Sequence, residues 1–69
     1  LKNTVKVERA RLDMTQQELA NKVDVSRKTI VLIEAGGYDP SITLALKIAG
    51  IFNKKVDEIF ELEDEDWVK

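Results

Sequence analysis

The sequence predicts an all-α fold, a bundle of five short helices, and three observations carry that expectation. Leu19, Ala20 and Val23, and then Ile30 and Ile33, recur at three- and four-residue spacing, the period of a helix with one inward face. Thr15, Ser26 and Ser41 stand at the heads of apolar runs, where a helix needs a side-chain acceptor for its first free amides. The chain has 43% hydrophobic residues but neither Cys nor His, so no disulfide or ordinary zinc site can stabilise so short a domain and helix packing must supply the core.

Helix one is expected from about Thr4 to Leu12, with Val5, Arg9 and Leu12 along one side. Helix two starts at Thr15, which can accept from the amide of Glu18 while Glu18 reaches back, a capping box. Asp24-Val25 leaves room only for a sharp corner, and Asp24 is the residue expected at positive φ there, since Asp tolerates the left-handed region at modest cost. Helix three spans 26–35 with Ser26 as its cap. At about 100° per residue, Ile30 and Ile33 fall together on a core face, and Arg27, Lys28, Val31 and Leu32 fall across from them.

Helix four begins at Ser41 after Pro40, and Ile42 to Phe52 is apolar on almost every side. Two stripes can be drawn on it. Ile42, Ala45, Leu46, Ala49 and Phe52 make the expected core stripe. Leu44, Ile48 and Ile51 make a surplus that one small bundle cannot cover, which favours a dimer seated there. Helix five runs near Val56 to Phe60 and begins without a good cap, because Lys55 precedes it.

Two capped helices joined by a tight turn, the second showing basic side chains, have the layout of a helix-turn-helix DNA reader. Arg27 and Lys28 at the amino end of such a helix can donate to guanine O6 and N7 in the major groove, and Val31 and Leu32 can touch thymine methyl groups. The plainer reading of any one exposed Leu is simple surface.

Several separated blocks then carry a resemblance. Thr15-Gln16-Gln17-Glu18-Leu19-Ala20, Val25-Ser26-Arg27-Lys28-Thr29-Ile30, Ile33-Glu34, Tyr38-Asp39-Pro40-Ser41, Leu44 to Ala49 and Asp57-Glu58-Ile59-Phe60 occur in order. Together they resemble the phage repressor and Cro-like (Xre-type) transcription regulators over roughly positions 3 to 60. The resemblance implies a five-helix, lambda-repressor-like DNA-binding bundle. It implies that Gln16 holds a backbone phosphate, which suits an amide beside a positive helix amino terminus. It also implies that Arg27, Lys28 and Leu32 face bases and that Arg9 pairs with Glu34 as a structural link. The expected DNA-contacting set is Gln16, Gln17, Ser26, Arg27, Lys28, Thr29, Val31, Leu32, Gly37 and Tyr38.

The chain departs from the family pattern at Ala35-Gly36-Gly37, where relatives often carry Asn-Gly-Lys and hold phosphate with those side chains. The amides of Gly36 and Gly37 can still approach a phosphate, but both glycines serve equally well simply to end the helix. Asp24 replaces a usual Gly, and Asp13 sits where a Gly is also common.

Charge divides the chain into a body, 1–60, with ten Lys or Arg against eight Asp or Glu, and a tail, 61–69, with five acids and one Lys, so +2 and −4 compose the net −2. An acidic total argues against indiscriminate coating of nucleic acid and leaves a local basic face effective within a Debye length of about 8 Å. The tail reads either as a solvated end or, because Phe60-Glu-Leu-Glu63 alternates, as an edge strand beside the amino terminus, as in some short relatives. Trp67 is expected to anchor it on the body or on a partner subunit.

The functional expectation is a sequence-specific regulator that binds a double-stranded DNA operator as a homodimer, without cofactor or metal. The alternative is a protein-interaction module, such as an antitoxin whose acidic tail binds a partner. Catalysis is not expected: Ser26 and Ser41 are explained as caps, and no nucleophile has an adjacent base. No stretch approaches the ~20 apolar residues of a membrane span and no secretory leader opens the chain, so the expected location is the cytoplasm. The opening Leu points to a trimmed or unusual start.

Overall fold

The helices of this chain are bounded by local signals, side-chain acceptors at most starts and left-handed residues at most stops. In the computed structural model, which describes residues 1–68, the order is β1 (Lys2–Asn3), α1 (Val5–Arg11), α2 (Gln16–Val23), α3 (Arg27–Glu34), α4 (Ile42–Ile51), α5 (Val56–Ile59) and β2 (Phe60–Glu61), followed by a 3-10 turn at Asp64–Trp67. Thr15 Oγ1 accepts from the Glu18 amide at 3.0 Å and the Glu18 carboxylate accepts from the Thr15 amide at 3.0 Å, completing the expected capping box. Ser26 and Ser41 accept from Thr29 and Leu44, three residues on, and so start α3 and α4. At α5, Glu58 substitutes for the missing cap by accepting from the Lys55 amide at 2.8 Å.

Helices α1 to α4 stop at left-handed residues, Asp13, Asp24, Gly36 and Asn53, with φ of 53°, 60°, 80° and 54°, whereas α5 passes into β2 at extended Phe60. Asp24 is where the sequence places it. Asp and Asn tolerate this region because a short polar side chain can bond locally. After α3, the Gly36 and Gly37 amides donate back to the carbonyls of Ile33 and Leu32, the paired closure of a Schellman motif.

The core is formed by Val5, Leu19, Ala20, Val23, Ile30, Ile33, Leu44, Ala45, Ile48, Ala49, Phe52, Ile59 and Phe60. This corrects the expected orientation of α4. Ile42 and Leu46, expected inside, are 68% and 55% exposed, whereas Leu44 and Ile48, expected at a subunit contact, are buried within the monomer and Ile51 is half-buried. The helix is apolar nearly all round, so periodicity alone admits either stripe. Ala45, Ala49 and Phe52 are buried as expected, and packing against α2 and α5 turns Leu44 and Ile48 inward beside them. Leu12, just past α1, is likewise exposed, and the unexpected buried residue within α1 is Glu8, whose carboxylate accepts from Lys54 Nζ at 2.9 Å.

The tail begins as the strand expected of it, but the strand stops at Glu61. β2 pairs antiparallel with β1, Lys2 opposite Glu61 and Asn3 opposite Phe60. The α-amino group of Leu1 lies 2.7 Å from Asp66 and 3.1 Å from Glu63, which pushes its pKa up to about 10. Trp67 is 76% exposed, so it does not anchor the tail on the body. Among the described residues no helix is long and apolar enough to cross a membrane.

Candidate nucleic-acid interface

The α2–α3 unit is built by contrast between the two faces of α3. Ile30 and Ile33 are buried against the body, and Arg27, Lys28, Val31 and Leu32 are exposed on the opposite side. Burying the two isoleucines removes apolar area worth roughly 1.5–3 kcal/mol each, so the helix cannot roll about its axis without forfeiting that gain. The basic residues are therefore fixed outward. Ser26 also approaches Thr29 Oγ1 at 3.1 Å, which orders the first turn from which Arg27 and Lys28 project.

A polar network sets how α3 meets α1 and α2. Arg9 donates twice to Glu34, Nε at 2.7 Å and a terminal nitrogen at 3.1 Å, and its other terminal nitrogen donates to the Met14 carbonyl at 2.8 Å. With side chains only 14% and 6% exposed, this is a paired and well-satisfied ion pair inside the fold, and the Glu34 carboxylate holds the Arg9 pKa above its ordinary value. Gln16 joins the same network, donating from Nε2 to Glu34 at 3.1 Å. Its carbonyl oxygen accepts from Arg27 at 3.3 Å. The two partners fix the orientation of the Gln16 amide, since the carboxylate can only accept and the guanidinium can only donate.

The residue expected to hold a phosphate thus also holds Arg27, a link from the buried pair to the exposed face that sequence reasoning missed. Gln17, one position on, is exposed and donates to Asn21 at 2.9 Å. Gly36, Gly37 and Tyr38 are exposed just beyond α3, on the loop that follows the helix. Two further structural residues were not anticipated. Glu8 was legible in principle, three positions after the core residue Val5; Asn3 carries no sequence signal. Among the described residues no group of acidic side chains is arranged to hold a metal ion.

Comparison with known proteins agrees with this geometry. Residues 5–59 match a family described as helix-turn-helix. An uncharacterised HTH-type transcriptional regulator of Archaeoglobus fulgidus is 47% identical over 70 residues, covering 100% of this chain and 99% of its own length. The regulator MJ0272 of Methanocaldococcus jannaschii is 50% identical over 66 residues, 96% of this chain and all of its own. YgzD of Bacillus subtilis is 46% identical over 66 residues with the same coverage. A helix-turn-helix with its basic face held outward, in a chain that such regulators match over nearly its whole length, leaves one assignment: this protein belongs to the Xre/Cro-like helix-turn-helix family of DNA-binding transcription regulators.

Proposed function

We propose that this chain reads a specific, near-palindromic operator as a homodimer, with the amino end of α3 in the major groove and two such helices about 34 Å apart. The observation that carries the reading is the division of α3: Arg27, Lys28, Val31 and Leu32 exposed together and Ile30 and Ile33 locked inward. Arg27 and Lys28 supply donors to base edges, Val31 and Leu32 apolar contact with thymine methyls, and Ser26 and Thr29 hydroxyls at the groove edge. Gln16 and Gln17 present the first-turn amides of α2 to phosphate, and Gln16 in addition steers Arg27. Gly37 and Tyr38 flank the same face.

For the dimer, Ile42 and Leu46 replace Leu44 and Ile48 as the proposed seat. They lie one turn apart and exposed on α4, and Gly50, a further turn along, has open space above it, so a second copy can approach that stripe closely. Trp67 is a second apolar contributor. The molecule needs no enzymatic chemistry for this role, and the cytoplasm is its place of action. Selection of binding sites from random duplex DNA at stated salt tests the reading. A paired consensus with half-sites one helical turn apart is expected; recovery of no consensus overturns it.

One observation favours a second partner class. Leu62, Trp67 and Val68 are exposed amid Glu61, Asp64 and Glu65, a surface suited to a basic, partly apolar protein such as a toxin. A stoichiometric partner captured by the full chain and lost on Trp67→Ala would establish it.

A further inference from the structure

Asn3 touches three elements at once. Its Oδ1 accepts from the Val5 amide at 3.1 Å, in the first turn of α1. Its Nδ2 donates to the Ile33 carbonyl at 2.9 Å, in the last turn of α3. Its backbone lies in β1 opposite Phe60, and the next residue, Thr4, donates to the Ile59 carbonyl at 3.0 Å. The side chain is half-buried, and both ends of its amide are used with the correct polarity. Among the described residues this is the one side-chain hydrogen bond between the terminal ribbon and α3.

We infer that Asn3 is a positioning residue for DNA recognition: its amide ties the carboxyl end of α3 to the terminal ribbon and sets the tilt at which the helix meets DNA. The inference rests on the major-groove reading above. The acceptor it uses is the carbonyl that also receives the Gly36 amide at 3.0 Å, so the tether grips the turn that ends α3. A helix of eight residues is about 12 Å long, and a tilt of about 10° at one end moves the backbone at the other by about 2 Å. Arg27 sits at that other end. Hydrogen bonds to base edges operate over a range of only about 0.5 Å, so such a tilt is enough to lose register with a base pair. The Arg9–Glu34 pair ties α3 to α1 and Gln16 ties it to α2, and Asn3 adds the tie to the terminal ribbon. A partner pressing on the ribbon would therefore be felt at the base-reading end.

Asn3→Asp isolates the tether, because the carboxylate still accepts from Val5 but turns an oxygen toward the Ile33 carbonyl. Lys54→Ala, which removes the nearer of the two cations beside buried Glu8 and touches neither Asn3 nor α3 by a side-chain hydrogen bond, is the control for lost stability alone. The full chain and both variants are titrated, well below their melting temperatures, with the duplex selected by the wild type and with a scrambled duplex of equal length. Asn3→Asp is expected to lower the ratio of the two affinities about tenfold, one base contact's worth, while Lys54→Ala keeps the wild-type ratio. An unchanged ratio in Asn3→Asp, with only a lower melting temperature, reduces Asn3 to a helix cap and overturns the inference. Should the selection yield no consensus, the groove reading is what fails, and the tether is then judged by exchange of the Gly36 and Gly37 amides. Faster exchange in Asn3→Asp than in Lys54→Ala supports it, and equal exchange removes it.

Discussion

Helices α3 and α4 are similar in length and both lie against the core, yet one could be oriented from its residues and the other could not. α3 has two isoleucines on one side and two cations on the other, so solvation of the charges and burial of the isoleucines select the same rotation. α4 carries only Lys47 as a charge and is apolar on nearly every side. Ala45, Ala49 and Phe52 are inside in either rotation, and it is contact with α2 and α5 that buries Leu44 and Ile48 in place of Ile42 and Leu46. Amphipathic contrast specifies a face, whereas uniform hydrophobicity specifies only burial of some face.

That comparison can be broken at several points. The largest effect is expected at the anchor of α3: Arg9→Met leaves the buried Glu34 carboxylate without a counter-charge, with only Gln16 donating to it, and should cost about 3–5 kcal/mol in urea unfolding. If it costs nothing, the α1–α3 link is not what holds α3. On α4, Ile48→Ala should cost about 2–5 kcal/mol. Leu46→Ala, at concentrations where the chain is monomeric, should stay within about 0.5 kcal/mol. Similar losses at both positions would contradict the rotation of α4 described above. Sedimentation of Leu46→Glu tests the other half, since the exposed stripe should then no longer support a dimer.

Lys28→Ala should weaken the selected duplex by about 1–3 kcal/mol and relax base choice while leaving unfolding unchanged. Loss of stability instead would mean that the outer face of α3 is packed. Ser26→Ala and Ser41→Ala should each cost about 1 kcal/mol, because the two helices begin by the same cap whatever their faces do. A large asymmetry between them would show that one helix start is held by tertiary contacts.

The smallest effects are protonic. Glu18 has its pKa held below the usual carboxylate range by the backbone and side chain of Thr15, so its contribution is present above that range and is lost as pH falls through the lowered value. Thr15→Ala should flatten that acid limb in a stability–pH profile. The Leu1 amino group acts oppositely. Raised from 8.0 to about 10, it stabilises the tail contact below pH 8 and loses that effect as pH rises through about 10. Exchange of the ribbon amides with increasing pH reads it out.

Much of the site was legible beforehand. Thr15, Ser26 and Asp24 announce where α2 and α3 start and turn, and Ile30 with Ile33 announces which way Arg27 and Lys28 must look. The links that carry those elements were harder to see. The Arg9–Glu34 pair was indicated only by family resemblance, because residues 25 positions apart have no periodic relation. The use of both ends of the Gln16 amide, and of the Asn3 amide, depends on where three elements converge and leaves no trace in spacing.

Taken alone, the order of residues determined the helix boundaries, the corner at Asp24 and the outward face of α3, because caps, turns and amphipathic periodicity are local and act within a few positions. Tertiary structure decided the rotation of α4, the burial of Glu8 beside Lys54, the end of the strand at Glu61 and the tether of Asn3. Each of these is a choice among locally equivalent options, and only the steric fit and hydrogen-bond partners supplied by distant segments can make it.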